Sequence, residues 1–166
     1  MLPKVSFILL TYNHQAFVKD AVTSVLRQTY APLEIIVSDD ASTDNTFALA
    51  SEVVASYQGP HKVALNRNSR NLGIGAHINV LMEMCEGELV VVGGGDDISR
   101  PERVAVLVQK WLEYGKPAAI GSAVKMIDEE GKAIGEASAN ETVELGKQAL
   151  LDRERMLGLY QQSKPY

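Results

Sequence analysis

"VVVGGGDDISRPERV", from Val90 to Val104, joins an apolar run to three glycines, two adjacent aspartates and a proline. The run reads as a buried strand, and Pro101 as an early helical residue, where a missing backbone N–H costs nothing. Between strand and helix stands the acidic pair Asp96-Asp97. Adjacent carboxylates repel, and desolvating them costs more still unless positive charge lies close by. The arrangement recurs in "LEIIVSDDAST", Leu33 to Thr43, where Asp39-Asp40 closes a second apolar run.

Working outward, apolar runs alternate with helical patterns along most of the chain. Val5 to Leu10 is continuous rather than alternating, as expected of a strand covered on both faces. Phe17, Val18, Ala21, Val22, Val25 and Leu26 recur at helical spacing. Leu33 to Val37 gives a second strand, and Asp44-Asn45-Thr46 offers cap chemistry before a helix face of Phe47, Ala50, Val53, Val54 and Tyr57. Gly59-Pro60 ends that helix, and Lys62 to Leu65 forms a third strand. Ile74, Ile78, Leu81, Met82 and Cys85 make a third helix, and Leu89 to Val92 a fourth strand. After Pro101, a fourth helix carries Val104, Leu107, Val108, Trp111 and Leu112. This alternation predicts an α/β fold, a doubly wound and mainly parallel sheet with helices on both faces. From Pro117 the pattern changes. Ala118 to Ile127 reads as a strand, Asp128 to Lys132 as a turn, Ala133 to Gly135 as a return strand and Val143 to Leu159 as a helix, with "LLDRERM" (Leu150 to Met156) on its solvated face.

Composition bounds the function. With 166 residues, 46% hydrophobic and 22% charged, the expectation is one domain spanning 1–166. A formal net charge of -5 argues against nucleic acid as the main partner. The single cysteine, Cys85, rules out an internal disulfide framework and fits a reducing compartment. The N-terminal apolar run stops at Thr11, too short for a membrane span. A cytoplasmic protein is expected, peripheral to the inner face of the membrane if it meets one.

In an open parallel sheet, ligands bind beyond the carboxyl ends of the strands. Thr11-Tyr12-Asn13, Asp39-Asp40 and Asp96-Asp97 all fall at that edge. A divalent cation carrying a diphosphate would supply the missing positive charge, and hard carboxylate oxygens suit Mg²⁺ or Mn²⁺. Gly93-Gly94-Gly95 permits a sharp turn and close approach of a ligand. Plainer roles compete. Asp39-Asp40 would also serve as caps for the helix that follows, and Tyr12 as a packing residue. "GIGAHI", Gly73 to Ile78, lacks the third glycine and first-strand position of a dinucleotide fingerprint. His77 has no His or Cys partner at ligand spacing, and Cys85 suits a core.

Taken together, "VSFILLTYNHQAFVKDAVTSVLRQT", "EIIVSDDASTDNT", "RNLGIGAHIN" and "GDDISRPERV" resemble the N-terminal half of family 2 glycosyltransferases of the GT-A fold. The resemblance runs over nearly the whole chain. It implies an inverting transferase that moves a sugar from a nucleotide diphosphate sugar, commonly a UDP-sugar, to an acceptor hydroxyl, with Mn²⁺ or Mg²⁺ as cofactor. By position, Thr11 and Tyr12 match residues that meet the nucleoside, and Asp40, supported by Asp39, the carboxylate that binds the base. Asp96 matches the metal-binding aspartate of the D-x-D signature, with Asp97 a nearby second acid towards water or the donor sugar. Asn71 and Gly73 match a loop passing close to the donor.

The chain departs from the family pattern at three places. The first aspartate of D-x-D falls at Gly94, and a frequent arginine falls at Ile78. No catalytic base is evident before Tyr166, so the chain is expected to lack the acceptor-binding part. A non-catalytic nucleotide-binding module is the alternative. A Mg²⁺-binding receiver-like signalling domain ranks lower, because the N-x-G loop and "STDNT" have no place in one.

Overall fold

Strand β1 (Val5–Thr11) is buried along almost its whole length, and β2 (Leu33–Asp39) along all of it. A strand covered on both faces belongs in the interior of a sheet. The computed structural model, which describes residues 1–128, 132–137 and 149–152, places β1 there. β1 pairs in parallel with β2 on one side and β4 (Leu89–Gly94) on the other. β3 (Lys62–Arg67) extends the sheet beyond β2, again in parallel.

Alternate residues of each strand feed two separate cores. Phe7, Leu9, Ile35, Val37, Leu89 and Val91 face one side. There they pack with α1 (Val18–Leu26), α2 (Thr46–Ala55) and α4 (Arg103–Glu113), whose Trp111 is 2% exposed. Ile8, Ile36, Val90 and Val92 face the other side and meet Leu81, Met82 and Cys85 at the end of α3 (Ile74–Met84). The sheet is therefore doubly wound, with helices on both faces.

The six-stranded order is β3-β2-β1-β4-β8-β5, where β5 is Ala119–Gly121 and β8 is Ala149–Asp152. A receiver has the order 2-1-3-4-5, so that alternative is excluded. The expected helix over Val143 to Leu159 is corrected at Ala149–Asp152, which is a strand antiparallel to both β4 and β5. Leu150 to Asp152 accordingly belong to β8 rather than to a solvated helix face. The rest of that expected helix lies outside the described residues. The physical reason is non-local: without β8, the far edge of β4 would expose unpaired N–H and C=O groups. Ala118 to Ile127 is likewise not one strand. It divides into β5 and β6 (Val124–Ile127), and β6 pairs with β7 (Ala133–Ala137) in a separate hairpin.

Candidate functional site

Register brings the chemistry together. Thr11 lies opposite Asp39, and Leu10 opposite Gly94. Backbone bonds continue past the strand ends: Asp40 N–H donates to Thr11 C=O (2.9 Å), Asn68 N–H to Asp39 C=O (2.9 Å) and Gly95 N–H to Leu10 C=O (2.8 Å). The loops after β1, β2, β3 and β4 therefore leave one edge at one level. Thr11, Tyr12, Asp39, Asp40, Asn71, Gly73, Asp96 and Asp97 all lie on these loops or the strand ends beneath them.

The two acids of the first pair have different surroundings. Asp39 is 1% exposed and braces the edge. It accepts from Thr11 Oγ1 at 3.3 Å, Ser42 N–H at 3.0 Å and the Ser42 hydroxyl, and pairs with Arg67 Nε at 3.3 Å. Asp40, also buried, accepts from Asn68 Nδ2 at 2.7 Å, Leu72 N–H at 3.0 Å and Gly73 N–H at 3.0 Å. Burial pushes its carboxyl up, but Asn68, the two amides and nearby His77 outweigh it and hold the group below the usual range. Neither acid caps α2 by itself. Asp44, one residue before the N-cap Asn45, steadies the helix start instead: its Oδ1 accepts from Thr46 N–H at 2.9 Å while Oδ2 takes Gln15 N–H at 3.2 Å.

Asp40 thus fastens the loop between β3 and α3. At the loop's end Gly73 adopts φ +76°, open to glycine but strained for other residues, and its N–H also meets Asn71 Oδ1 at 2.8 Å. Behind Asp40, His77 Nε2 lies 2.6 Å from Ser38 Oγ, which also accepts from Asn66 Nδ2 at 2.8 Å. Burial keeps the His77 imidazole below its ordinary pKa against the pull of Asp40 and Asp39. His77 is a core residue. Tyr12 differs: it is 40% exposed, so its ring is open to a ligand.

The second acidic pair sits on a tight turn closed by Asp97 N–H to Gly94 C=O (3.1 Å). A Cβ at Gly94 would stand 2.7 Å from an Asp96 oxygen and 2.8 Å from an Asp97 oxygen. The folded-back carboxylates occupy the space that a side chain at position 94 would need. At Gly95 a Cβ would meet His14 Nδ1 and the Thr11 methyl, each at 2.7 Å. His14 Nε2 reaches to 4.0 Å from Asp96 Oδ1. The segment after the turn is held by α1 and the residues that follow it, since Ser99 N–H donates to Ser24 Oγ (3.0 Å) and Gln28 Nε2 to Arg100 C=O (2.7 Å).

Three contributors escaped the sequence reading, His14, Asn68 and Arg103, and Asn13, already placed at this edge, gains a role. Asn13 adopts φ +53°, and its Oδ1 accepts from Thr43 N–H at 2.9 Å, lacing the β1 loop to the β2 loop. An asparagine just after a strand tolerates that conformation, which is a usable signal. For Arg103 the signal was the acidic pair's unmet need for positive charge. Nothing local marks His14 or Asn68.

Among the described residues, no three His, Cys, Asp or Glu side chains converge as a protein-only metal cage. Asp96, 42% exposed in its side chain, and Asp97 present hard oxygens from one turn. That donor set fits a Mg²⁺ or Mn²⁺ ion completed by phosphate oxygens and water. No helix among the described residues is long and apolar enough to cross a membrane.

A family model described as glycosyl transferase family 2 matches residues 6–159. EpsE of Bacillus subtilis is 31% identical over 129 residues, which are 78% of this chain and 46% of EpsE. Chondroitin synthase of Escherichia coli is 28% identical over 80% of the chain and 19% of its own length. The chain therefore spans less than half the length of these relatives. A Pyrobaculum calidifontis mannosyltransferase in complex with GDP-Man and Mn²⁺ superposes with TM-score 0.71 at 22% identity, over 96% of this chain and 47% of that one. S. aureus TarS 1-349 in complex with UDP-GlcNAc gives 0.72 at 21% identity, over 95% and 47%. At those identities the structural likeness speaks for the fold.

Proposed function

The chain belongs to glycosyl transferase family 2, and from that premise we propose that its sheet edge binds a nucleotide diphosphate sugar and a divalent cation for sugar transfer to an acceptor hydroxyl. One observation carries the reading: Thr11, the Asp40 loop and the Asp96-Asp97 turn reach one level at the carboxyl edge of a parallel sheet. The donor complexes of the mannosyltransferase and TarS support it by analogy.

In this reading, Tyr12 offers its exposed ring to the base, and Asp40 its carboxylate. Thr11 and Asp39 brace the nucleoside side, while Asn71 and Gly73 line the donor's path. Asp96 holds the cation, with Asp97 beside it towards water or the sugar. The cation's chemistry is to offset negative charge growing on the leaving diphosphate. In an inverting transfer, the bond between anomeric carbon and diphosphate breaks as the acceptor oxygen bonds from the opposite face. The acceptor's proton must pass to a base. Asp128 does not suit that role: it sits at the β6–β7 turn, its Oδ1 accepting from Lys132 N–H at 2.8 Å. Glu129 and Glu130 lie outside the described residues.

The cytoplasmic location, the UDP-sugar donor and a polysaccharide, lipid or protein-glycan acceptor belong to the same proposal. Calorimetric titration of nucleoside diphosphates with and without Mn²⁺ tests it. Metal-dependent binding with a preference for one base is expected. No binding of any nucleotide with Mn²⁺ present would refute it. Binding together with transfer in a longer chain carrying this sequence would eliminate the non-catalytic module.

A further inference from the structure

Removing a guanidinium from water is costly, so a buried arginine behind an acidic turn calls for a reason. Arg103, the first residue of α4, is 9% exposed. Nη2 donates to Val92 C=O at 3.1 Å and Nη1 to Ser99 Oγ at 3.2 Å. Those partners bracket the turn, one before Gly93-Gly94-Gly95 and one after Asp97. Beneath it lies Phe7, whose ring centroid is 5.4 Å from the guanidinium carbon. Nε has no hydrogen-bond partner. Burial draws the group down to about 10 while the Asp97 carboxylate opposes that pull, so it stays charged at neutral pH.

We propose that Arg103 is a fixed countercharge under the Asp96-Asp97 turn, and that it makes the turn select a divalent cation accompanied by a diphosphate over the bare cation. This rests on the nucleotide-binding reading above. The reasoning is electrostatic. Two carboxylates and one guanidinium leave the turn with a single net negative charge. A bare dication would turn that sum positive beside a buried cation. The two negative charges of a sugar nucleotide's diphosphate restore it. Without the guanidinium, the turn would be doubly negative and would take a bare dication readily. Opposite charges near one another in a partly screened site attract strongly enough to shift an ion's affinity by about tenfold. Arg103 touches neither substrate nor reacting atoms in this account and is a positioning and selectivity residue.

The test is Mn²⁺ titration followed by electron paramagnetic resonance, with Mn²⁺ alone and with Mn²⁺ plus UDP. The proteins compared are wild type, Arg103→Met, Arg103→Gln and Arg103→Lys. Methionine suits the packing on Phe7, and the carboxylates left behind are not buried, so no uncompensated charge is trapped in the core. We expect Met and Gln to bind bare Mn²⁺ about tenfold tighter and Mn²⁺-UDP several-fold more weakly, and Lys to keep the wild-type preference. Opposed shifts are a signature that a merely structural role does not produce. Both affinities falling together, both staying unchanged, a lysine variant behaving like methionine, or loss of a cooperative melt in both Met and Gln would each overturn the proposal. If wild type bound no Mn²⁺-UDP, the nucleotide reading would fail first. The bare-Mn²⁺ arm would still judge the countercharge.

Discussion

At the scale of single residues, the two acidic pairs are chemically alike and physically different. Asp39 and Asp40 are 1% and 4% exposed and engaged by named donors, whereas Asp96 is open to solvent. Asp96→Ala is expected to weaken nucleoside diphosphate binding in Mn²⁺ by tenfold or more, about 1.4 kcal/mol, and to leave the free nucleoside unaffected. Asp40→Ala is expected to weaken nucleoside and nucleoside diphosphate alike. It should also lower stability by roughly 1–3 kcal/mol, because Asn68 Nδ2 and the Leu72 and Gly73 amides lose their acceptor. Calorimetry on both ligands plus urea melts decides, and matching binding profiles for the two variants would refute the division of roles. Adjacency of the aspartates was legible in the sequence. How firmly Asp40 is tied to the neighbouring loop was not, since Asn68, Leu72 and Gly73 arrive from another strand's loop.

At the scale of elements, the edge opposite the site is braced by charge. Glu86 meets Lys4 at 2.5 Å and Lys62 at 2.6 Å, and these hydrogen bonds pull its carboxyl from 4.5 to about 2. Asp40 and Asp44 are also held below their ordinary 3.8, in each case against burial that pushes them up. A carboxyl whose pKa is lower folded than unfolded favours folding fully only above its unfolded value. That stability is lost as pH falls through the folded value. His77 adds to the slope earlier: burial holds it neutral, so the unfolded chain takes up the proton first as pH drops below 6.5. Urea midpoints are therefore expected to decline steadily from pH 7 downwards, with Glu86→Gln flattening the stretch between 4.5 and about 2. A midpoint that rose on acidification would contradict this. The strand β8 makes a second prediction. Leu150 lies opposite Val91 of β4 and Ile120 of β5, so Leu150→Pro puts a residue without an N–H between two paired strands. A cost on the order of 3 kcal/mol is expected in denaturant melts, and a change under about 1 kcal/mol would speak against β8.

At the scale of the whole molecule, the proposed donor edge has no evident base beside it among the described residues. We expect these 166 residues to bind a sugar nucleotide with Mn²⁺ and to form glycoside poorly or not at all. Slow donor hydrolysis by water needs no acceptor site and should persist. Following nucleotide release and glycoside formation separately, with a panel of donors and acceptors, checks this. Efficient glycoside formation would reveal a base within these residues, with Glu129 the first to replace.

The sequence by itself determined the doubly wound sheet and the edge at which its two acidic pairs stand. Both follow from local facts: continuous apolar runs such as Val5 to Leu10, helical recurrences such as Val104, Leu107, Val108 and Trp111, and acids placed where strands end. It also expected Cys85 in a core and His77 on the surface or in a core, and both are buried. Tertiary structure alone decided what depends on partners distant in the chain. Ala149–Asp152 is a strand because β4 and β5 need a neighbour, whatever its local helical pattern favours. Asp39 is a brace because Thr11, Ser42 and Arg67 converge on it. The proposed countercharge lies within the opening stretch itself, at Arg103, but only folding brought that side chain back to Val92 and Ser99 on either side of the acids. Periodicity is written into neighbouring residues, whereas burial and charge compensation are sums over everything the fold brings near.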